Sequence, residues 1–466
     1  MTDNVTPSSS STATLAQFAA NLRFSDIPHS VTSRIKLHVL DGLGVCLHGS
    51  ALPWTRMVRD MVVAEGGNGS ASLWGGRDKT SVSQAVLVNC TAGHAFEMDD
   101  IHKESVLHPN SLAVPIALAL AESGRALGIV ARGREVLTAI IAGYEVGTRV
   151  GNAATTSLFL KGFHPQGTSG AFVAATTAGK MLGLDAAQMQ NCLGIAGSMG
   201  AGLMAAQEGA MVKRLHAGKA AQSGVYAAML AKAGFTGILN VLEADYGGFL
   251  SSFSTHYDLS KLTSDLGSSW EAGKVGFKMY PNVTSIHTAL DALQSILLEE
   301  SIDSTRIASI KVGCGHMTYV HTAWPYVPHG VTAAQMNLYY GLAVMAIRRN
   351  VSAADYAPDR LADPDVLAFI RRIEAFEDPE IESMGSAYRH GCDLSVTTTD
   401  GTVHTRRILA RRGSPENDVR AAEIEDKFRN NVAALLPGAS QNRLIELALA
   451  FDELSDVEPV NAVLRV

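Results

Sequence analysis

Helical periodicity dominates the chain as far as Gly273. Apolar residues recur every three or four positions, which is the spacing of one face of a helix. Proline and small polar residues interrupt the pattern and mark where helices begin and end. The pattern predicts helices within Leu15 to Gly49, where Ile27-Pro28 separates two of them, and over Pro53 to Val63, Val82 to Ala92, Ser111 to Gly124 and Arg134 to Asn152.

Small residues are concentrated in one part of this helical region, from Thr168 to Leu250. Gly194, Gly197, Gly200 and Gly202 superficially resemble a dinucleotide-binding loop, but no β-branched strand precedes them. Small side chains also let helices approach one another closely. The pattern therefore favours tightly packed helices over a nucleotide site.

The pattern changes character after Gly273. Ile307 to Val312 alternates between apolar and polar residues like a strand, and the run LSVTTTDGTVHTRRILAR contains two alternating segments joined by Asp400-Gly401. That dipeptide favours a type I′ hairpin. Helical patterns cover Val283 to Leu298 and Thr332 to Arg348 in this part, and Glu416 to Leu436 and Asn442 to Leu454 in the tail.

The elements together predict a mostly α fold. We expect a large all-helical domain over residues 1–273 and a smaller α+β lid domain over residues 274–412. The C-terminal helices, residues 413–466, are expected to pack back on the helical domain. A chain of 466 residues is long enough for two domains of this kind.

Composition excludes several classes of protein. The chain is 47% hydrophobic and has a formal net charge of −7, so it lacks the basic excess of a nucleic-acid binder. The most apolar run, Cys192 to Ala206, is too short to span a membrane. Five scattered cysteines without a CxxC pattern indicate reduced thiols, as in a cytoplasmic enzyme. The first residues, MTDNVTPSSSSTAT, lack the features of a signal peptide and predict a disordered lead-in.

Titratable side chains are densest in the stretch His94 to Pro109, which reads HAFEMDDIHKESVLHP. It places four carboxylates among three histidines in a chain with only 18% charged residues. The stretch is either a hydrated loop or a site of chemistry. A metal site is one alternative, since histidines and carboxylates bind Zn, Mn and Fe. No HExxH or ExxH pair is present, so we expect no metal.

Basic side chains occur beside glycines and prolines in three further segments, KGFHPQGTSG, GAMVKRLHAGKAA and GFKMYPNVTSIH. A lysine in apolar surroundings requires either water or an anion. If these segments converge on the stretch His94 to Pro109, they form a cationic pocket for a substrate with several carboxylates. For each residue alone, a hydrated or capping role is the simpler alternative. The residues concerned are His164, Lys213, His216, Lys278, Tyr280 and His287.

These motifs together resemble the MmgE/PrpD family, which includes 2-methylcitrate dehydratases, cis-aconitate decarboxylases and an iminodisuccinate epimerase. The resemblance covers nearly the whole chain. It implies a helical domain closed by an α+β lid, a homodimer, and an active site between the domains that requires no cofactor. The motifs are VLDGLGVCLHG, HAFEMDDIHKESVLHP, GYEVGTRV, GFHPQGTSGAF, LGIAGSMGAGL, VKRLHAGKAAQSGV, YGGFL and GFKMYPNVTSIH.

The resemblance also implies roles for individual residues. His108 is expected to be the general acid or base, since an imidazole titrates near neutral pH. Lys213, Lys278 and His164 are expected to stabilise substrate carboxylates and developing charge. Asp99 or Asp100 is expected to orient a basic residue or to carry a second proton; a capping or structural ion-pair role is the alternative. His102, His216, Tyr280 and His287 are further candidates for substrate binding.

One position departs from the family pattern. Many members have D-x-D-D where this chain has Glu97-Met98-Asp99-Asp100. Glutamate at this position resembles the fungal cis-aconitate decarboxylases, so the departure favours decarboxylation over dehydration of 2-methylcitrate. Glu97 is accordingly a candidate substrate-binding residue.

The predicted function is therefore that of a cofactor-independent lyase on a di- or tricarboxylic acid. All reactions of the family move a proton next to a carboxylate and build up charge on it. An epimerase or isomerase of an amino- or iminodicarboxylate, using the same residues, is the first alternative. A non-catalytic binding protein that keeps the pocket is the second.

Overall fold

The computed structural model describes residues 10–67, 69–126, 128 and 130–465. Residues 1–9 of the predicted lead-in lie outside the described residues. The lead-in ends earlier than expected, because the Ser10 hydroxyl accepts a hydrogen bond from the Ala13 backbone N–H and caps the first helix. Among the described residues, none of the helices has the length and apolar character that a bilayer span requires.

Helices form most of the first part of the chain, as predicted. Short antiparallel strand pairs, β1 with β2 and β3 with β4, interrupt them. The helices are α1 (Ser11–Asn21), α2 (His29–Ser50), α3 (Pro53–Glu65), α4 (Val82–Gly93), α5 (Asn110–Ala126), α6 (Gly133–Leu160), α7 (Gly170–Met181), α8 (Ala186–Gly197), α9 (Val212–Lys232), α10 (Phe249–Phe253) and α11 (Ser260–Thr263). The strands are β1 (Ala71–Ser72), β2 (Lys79–Thr80), β3 (Ile101–His102) and β4 (Val275–Gly276).

The small residues between Thr168 and Leu250 allow helices to pack closely, as predicted from the sequence. Gly224 on α9 faces Ala174 and Ala175 on α7, where an added Cβ would lie 2.4 Å from the Ala174 Cβ and 2.5 Å from the Ala175 backbone nitrogen. Any larger side chain would have to push the two helices apart. The glycine is therefore required by the approach of the helices rather than by a nucleotide.

The next part of the chain combines helices with a four-stranded sheet. Its strands lie in the order β6, β5, β7, β8; β5 and β6 are parallel, and the other neighbours are antiparallel. The elements are α12 (His287–Glu299), β5 (Ile307–Cys314), α13 (His316–Thr322), α14 (Val331–Gln335), α15 (Leu338–Arg348), α16 (Pro364–Ile370), β6 (Ile373–Glu377), α17 (Pro379–Ser383), β7 (Cys392–Thr398) and β8 (Val403–Ile408).

The β7–β8 hairpin is present, but the predicted type I′ turn is wrong. Gly401 has a φ of 87°, whereas Asp400 does not have the positive φ that a type I′ turn requires. The Gly401 N–H donates to the Thr398 carbonyl, and the Asp400 side chain accepts from the Thr398 hydroxyl and the Thr402 N–H. Because the aspartate side chain stabilises a longer loop, only the glycine adopts the left-handed conformation.

The tail returns to the first part of the chain. Helices α18 (Ala421–Val432), α19 (Gly438–Leu449) and α20 (Glu458–Leu464) complete the element order. Ile424, Phe428 and Val432 on α18 are buried in the same apolar cluster as α2. A second cluster contains the apolar residues of the sheet and of α12 and α15. The mostly α fold with a smaller α+β part is confirmed, while the domain boundaries at residues 273 and 412 stay a prediction.

Candidate active site

Five of the predicted site residues line one cavity, which is partly open to solvent. They come from four separate segments of the chain and are Glu97, His108, His164, Lys213 and Lys278. Residues from the α+β part, including His321, Arg389 and His390, line the same cavity. The cavity therefore lies where the two parts of the chain meet.

An irregular segment carries the carboxylates of the site. Helix α4 ends at Gly93, and the chain then runs without regular structure to β3. Glu97 and Val106, which both line the cavity, have φ values of 54° and 55°. Left-handed conformations are uncommon for such residues and cost about 1–3 kcal/mol each. The surrounding packing must hold this backbone, which directs Glu97 to the cavity.

The pairing of β3 with β4 brings a distant lysine to this segment. Ile101 pairs with Gly276 and His102 with Val275. The chain leaving β4 reaches Lys278 two residues later, and the Lys278 Nζ donates to Glu97 Oε2 at 2.9 Å. The pairing therefore positions one cation of the site.

Glu97 is surrounded by three cations although it is buried. Lys213 donates to its Oε1, Arg214 donates to the same atom at 2.6 Å, and Lys278 donates to its Oε2. Burial alone would raise the pKa of Glu97, but the charges of Lys213, Lys278 and Arg214 hold it well below its ordinary range. Glu97 is therefore ionised, and the cluster keeps a net positive charge.

Lys213 is a cation whose charge depends on pH. Burial lowers its pKa to about 8, although Glu97 acts in the opposite direction. The neighbouring charges of Arg214 and Lys278 add to the effect of burial. Lys213 is consequently close to losing its proton near physiological pH.

Arg214 was not predicted as a site residue, although it follows Lys213 in the same motif. Its guanidinium donates to Glu97 and also to Gln335 Oε1 at 3.0 Å, and Gln335 in turn donates to the Phe96 carbonyl. This network joins α9, the Glu97 segment and α14. The signal was available in the sequence, since a buried arginine beside a buried lysine also needs an anion.

Asp99 lies between two histidines behind the cavity wall. His94 Nδ1 is 2.7 Å from Asp99 Oδ2, and His108 Nδ1 is 3.4 Å from Asp99 Oδ1. Burial would raise the pKa of Asp99, but His108, His94 and Lys278 lower it well below its usual range. The ionised carboxylate can only accept hydrogen bonds, so His94 presents a protonated Nδ1 to it.

His108 is held in one orientation by its neighbours. Its Nδ1 donates to the Asp100 carbonyl at 2.6 Å, its backbone N–H donates to Gln166 Oε1 at 2.9 Å, and Gln166 donates back to the His108 carbonyl. Burial lowers the pKa of His108 to about 3, so the imidazole is neutral. With the proton on Nδ1, the lone pair is on Nε2, the atom with which this cavity-lining residue can accept a proton.

Asp100 points away from Asp99 into a separate buried network. Its side chain accepts from the Tyr144 hydroxyl at 2.8 Å and from the Asn110 backbone N–H at 3.0 Å, and it lies 3.0 Å from His38 Nδ1. Burial raises the pKa of Asp100 to about 8, so the carboxyl is protonated at neutral pH. Asp100 reaches the site only through its backbone carbonyl.

His164 is part of a row of histidine rings along one wall. Its ring centroid is 5.5 Å from that of His94 and 5.0 Å from that of His216. His164 Nδ1 lies 2.9 Å from His216 Nδ1, so one of the two atoms carries a proton and the other accepts it. Burial lowers the pKa of both histidines, that of His216 to about 4. His216 thus contacts the site through His164.

Besides Asp99, Asp100 and His216, three more predicted residues lie outside the cavity lining. His102 contacts Ser105 and Glu271. The Tyr280 hydroxyl donates to Asp291 Oδ1, and His287 Nε2 donates to the Asn282 carbonyl at 3.2 Å. Each of these side chains has a structural partner of its own.

His321, Arg389 and His390 line the cavity but were missed by the sequence reasoning. They come from the α+β part, in segments without a recognised motif. His321 Nε2 lies 2.7 Å from Gln207 Oε1. Only the packing of the two parts against each other places these residues at the site.

The metal alternative has a candidate location. His94, Asp99 and His108 each offer a ligand atom, and these atoms lie within 4.8 Å of one another. Histidine and carboxylate are suitable ligands for zinc, manganese or iron. However, the Nδ1 atoms of both histidines already contact Asp99 or the Asp100 carbonyl. A metal would have to replace these hydrogen bonds.

Comparison with protein families matches both parts of the chain. The model of the MmgE/PrpD N-terminal domain matches residues 13–261, and that of the MmgE/PrpD C-terminal domain matches residues 280–453. The matched regions contain four of the five cavity-lining residues that the sequence predicted, and the fifth, Lys278, lies between the two regions.

Curated relatives match over nearly their full length. A cis-aconitate decarboxylase of Aspergillus terreus is 28% identical over 470 residues, which are 97% of this chain and 96% of the relative. A cis-aconitate decarboxylase-like protein of Aspergillus oryzae is 28% identical and covers 98% of both chains. The human cis-aconitate decarboxylase is 27% identical and covers 97% of this chain and 94% of its own.

Proposed function

The chain belongs to the MmgE/PrpD family, and we propose that it is a lyase that acts on a di- or tricarboxylic acid without a cofactor. Among the activities of this kind, decarboxylation of an acid similar to cis-aconitate is favoured over dehydration of an acid similar to 2-methylcitrate. The names of the relatives support this choice. The proposal rests on one observation: a cavity in which Lys213 and Lys278 lie close to the neutral imidazole of His108.

Charge supports a polycarboxylate as the substrate. The described lining of the cavity contains Lys103, Lys213, Lys278 and Arg389, whereas Glu97 is its only carboxylate. Buried cations in excess of their partners are unfavourable unless an anion neutralises them. A substrate with two or three carboxylates would supply the missing negative charge.

The proposed decarboxylation needs charge stabilisation and one proton. When the carbon–carbon bond to a carboxylate breaks, carbon dioxide leaves and the electron pair forms a new double bond. The electrons of the existing double bond move to the carbon beside a second carboxylate, where negative charge develops and a proton is added. Lys213 and Lys278 would stabilise this charge because they are held in place before the reaction.

His108 is the proposed proton carrier. In the ligand-free site its pKa of about 3 keeps it neutral. A substrate with several negative charges beside it would raise that pKa, because opposite charges favour the protonated imidazole. His108 would then bind a proton together with the substrate and donate it from Nε2. Asp99 would stabilise the imidazolium from a distance of 3.4 Å.

The same reasoning supports catalysis without a metal. A metal ion in such reactions serves to neutralise the developing charge. Two lysines and an arginine already surround the centre of the site. We therefore expect full activity after treatment with a chelator, in contrast to an enzyme that holds a metal at His94, Asp99 and His108.

A screen of candidate acids tests the proposal. The purified protein is incubated with cis-aconitate, citrate, 2-methylcitrate and aspartate-derived diacids in deuterated water, while carbon dioxide, water loss and deuterium incorporation are followed. We expect release of carbon dioxide from cis-aconitate, with deuterium in the product, and loss of this activity in His108→Gln. Deuterium exchange without bond cleavage would favour the epimerase or isomerase instead. Binding without any reaction would indicate a non-catalytic binding protein.

Assembly and location are also proposed from the family resemblance. We expect a homodimer in the cytoplasm. Light scattering during gel filtration would then give twice the chain mass of 49.3 kDa.

A further inference from the structure

We propose that Arg389 is a specificity-determining residue that binds a second carboxylate of the substrate, at the end of the cavity formed by the α+β part. This inference rests on the proposed function, since it assigns the substrate class of the same site. Arg389 lies just before β7 and lines the cavity together with Lys213 and Lys278. It was not among the residues predicted from the sequence.

The guanidinium of Arg389 is buried but incompletely paired. Arg389 is 7% exposed, and its Nε and Nη1 atoms have no hydrogen-bond partner among the described residues. Nη2 donates to the Lys103 carbonyl, and Nη1 lies 3.6 Å from Glu104 Oε2, which is beyond hydrogen-bond distance. A buried guanidinium with unused donors is costly, so the geometry points to an anion that is supplied from the cavity.

Among the described residues, Glu104 is the one carboxylate recorded within ion-pair distance of Arg389. The adjacent His390 is neutral, because burial and then the charges of Arg389, Arg411 and Lys103 lower its pKa well below the ordinary value. Burial also lowers the pKa of His321 to about 4. Glu104 is the nearby carboxylate, and its side chain is 43% exposed. This end of the cavity is therefore positively charged and open to an anionic group.

The cations of the cavity differ in their access to a buried carboxylate. Lys213 and Lys278 share the Glu97 carboxylate, whereas the carboxylate paired with Arg389 among the described residues is that of Glu104, which is 43% exposed. A substrate that places one carboxylate near Lys213 and Lys278 and another near Arg389 would satisfy both ends. Arg389 would then select acids with a third carboxylate, in addition to the one that leaves as carbon dioxide and the one beside which charge develops. Tricarboxylates would therefore bind better than short dicarboxylates.

Binding of unreactive acids tests the inference without relying on turnover. Calorimetry compares propane-1,2,3-tricarboxylate with succinate in the wild type, Arg389→Lys and Arg389→Met. We expect the wild type to prefer the tricarboxylate, and Arg389→Met to lose roughly 10- to 100-fold in affinity for it, the range for hydrogen bonds to charged groups. Succinate binding should change much less. Arg389→Lys, which keeps the charge, should recover part of the tricarboxylate affinity.

Arg406→Met is the matched control. Arg406 lies on β8, and its partner, Glu299, is exposed; both residues lie outside the cavity lining. The Arg406→Met variant should bind propane-1,2,3-tricarboxylate and succinate with the affinities of the wild type. Thermal unfolding of each variant identifies any loss of folding, and Arg389→Lys then carries the test, because it retains the charge at the same place.

Several results would overturn the inference. They are equal affinity of the wild type for both acids, equal weakening of both acids in Arg389→Met, and no change in either. If an active acid is found, the inference also requires that Arg389→Met raise KM more than it lowers kcat. Selective binding of the tricarboxylate through Arg389 without turnover of any acid would support the role of Arg389 and contradict the proposed lyase activity. Turnover of an acid that does not change in the Arg389 variants would support the lyase activity and contradict the role of Arg389.

Discussion

Lys213 shows how one buried charge connects the structure to pH dependence. Its neighbours include the carboxylate of Glu97 and the cations of Arg214 and Lys278, and burial dominates among these influences. A lysine is charged below its pKa and neutral above it. Because the pKa is lowered to about 8, the cation that is proposed to hold the substrate disappears within the range in which an enzyme is readily assayed.

We predict that kcat/KM falls above about pH 8, by about tenfold for each pH unit, as Lys213 loses its proton. In Lys213→Arg the decline should move to higher pH, because a guanidinium stays charged. A pH profile of both proteins measures this. Asp100, whose pKa is also about 8, is the competing group. If kcat/KM of Lys213→Arg declines at the same pH as that of the wild type, the decline belongs to Asp100 and the prediction is contradicted.

Helix α9 begins with a charge pattern that is unfavourable on its own. Lys213 and Arg214 occupy its first turn, which contains no acidic residue. Cations at the positive end of the helix dipole are unfavourable, by about 0.3–1 kcal/mol each. Glu97, from a segment more than a hundred residues away, contacts both cations. The start of α9 therefore depends on a tertiary contact.

Replacing Glu97 should destabilise this arrangement. We predict that Glu97→Gln lowers the free energy of unfolding by about 3–5 kcal/mol, because three buried cations lose their counterion. Glu97→Asp keeps the charge and should lower it less. Urea unfolding at neutral pH measures both.

The pH dependence of this difference has a defined sign. The pKa of Glu97 is lowered in the folded state, so its contribution is complete above the unfolded pKa of about 4.3 and declines as the pH falls further. The difference in the free energy of unfolding between the wild type and Glu97→Gln should therefore become smaller at acidic pH. Equal stability of the two proteins at neutral pH would contradict the proposed role of the carboxylate.

Both polar and apolar contacts join the two parts of the molecule around the cavity, and Phe96 and Met98 of the first part belong to the apolar cluster of the α+β part. The Lys103 Nζ donates to the Ala387 carbonyl at 2.9 Å. Arg389 reaches across to the Lys103 carbonyl. Contacts of this kind can be broken and remade more readily than an apolar core, so they suit a lid that moves.

We predict that the α+β part closes further over a bound acid. Binding of propane-1,2,3-tricarboxylate should reduce the radius of gyration, because an anion between the cations of the two parts removes their mutual repulsion and excludes water. X-ray scattering with and without the acid measures this, with sodium chloride at equal ionic strength as the control. Identical scattering profiles would argue against closure.

Much of the fold could be predicted from the sequence. Helical periodicity identified α2, α5, α6 and α12, because an apolar residue every three or four positions marks the buried face of a helix. The bounds of α7, α8 and α9 were not predicted, because small residues throughout that stretch obscure the pattern. Alternation identified β5, β7 and β8. Local chemistry was less reliable: the Asp400-Gly401 turn was assigned to the wrong type, since the Asp400 side chain bonds to its own loop.

The site was predictable where motifs marked it. Glu97, His108, His164, Lys213 and Lys278 were named from the sequence and line one cavity. Asp100 was named as well, but only its backbone carbonyl reaches the site. The direction of an individual side chain depends on backbone angles such as the φ of 54° at Glu97, and periodicity does not contain that information.

The sequence by itself determined the family, the mostly α architecture and which residue types carry the proposed chemistry, because these depend on local pattern and on motifs. The tertiary structure alone decided how those residues are paired. It placed three cations around Glu97 and two histidines beside Asp99, and it left Nε and Nη1 of Arg389 without a hydrogen-bond partner among the described residues. Charges more than a hundred residues apart, such as those of Glu97 and Lys213, interact strongly only when folding brings them together and removes the water between them. This is a property of packing rather than of spacing along the chain.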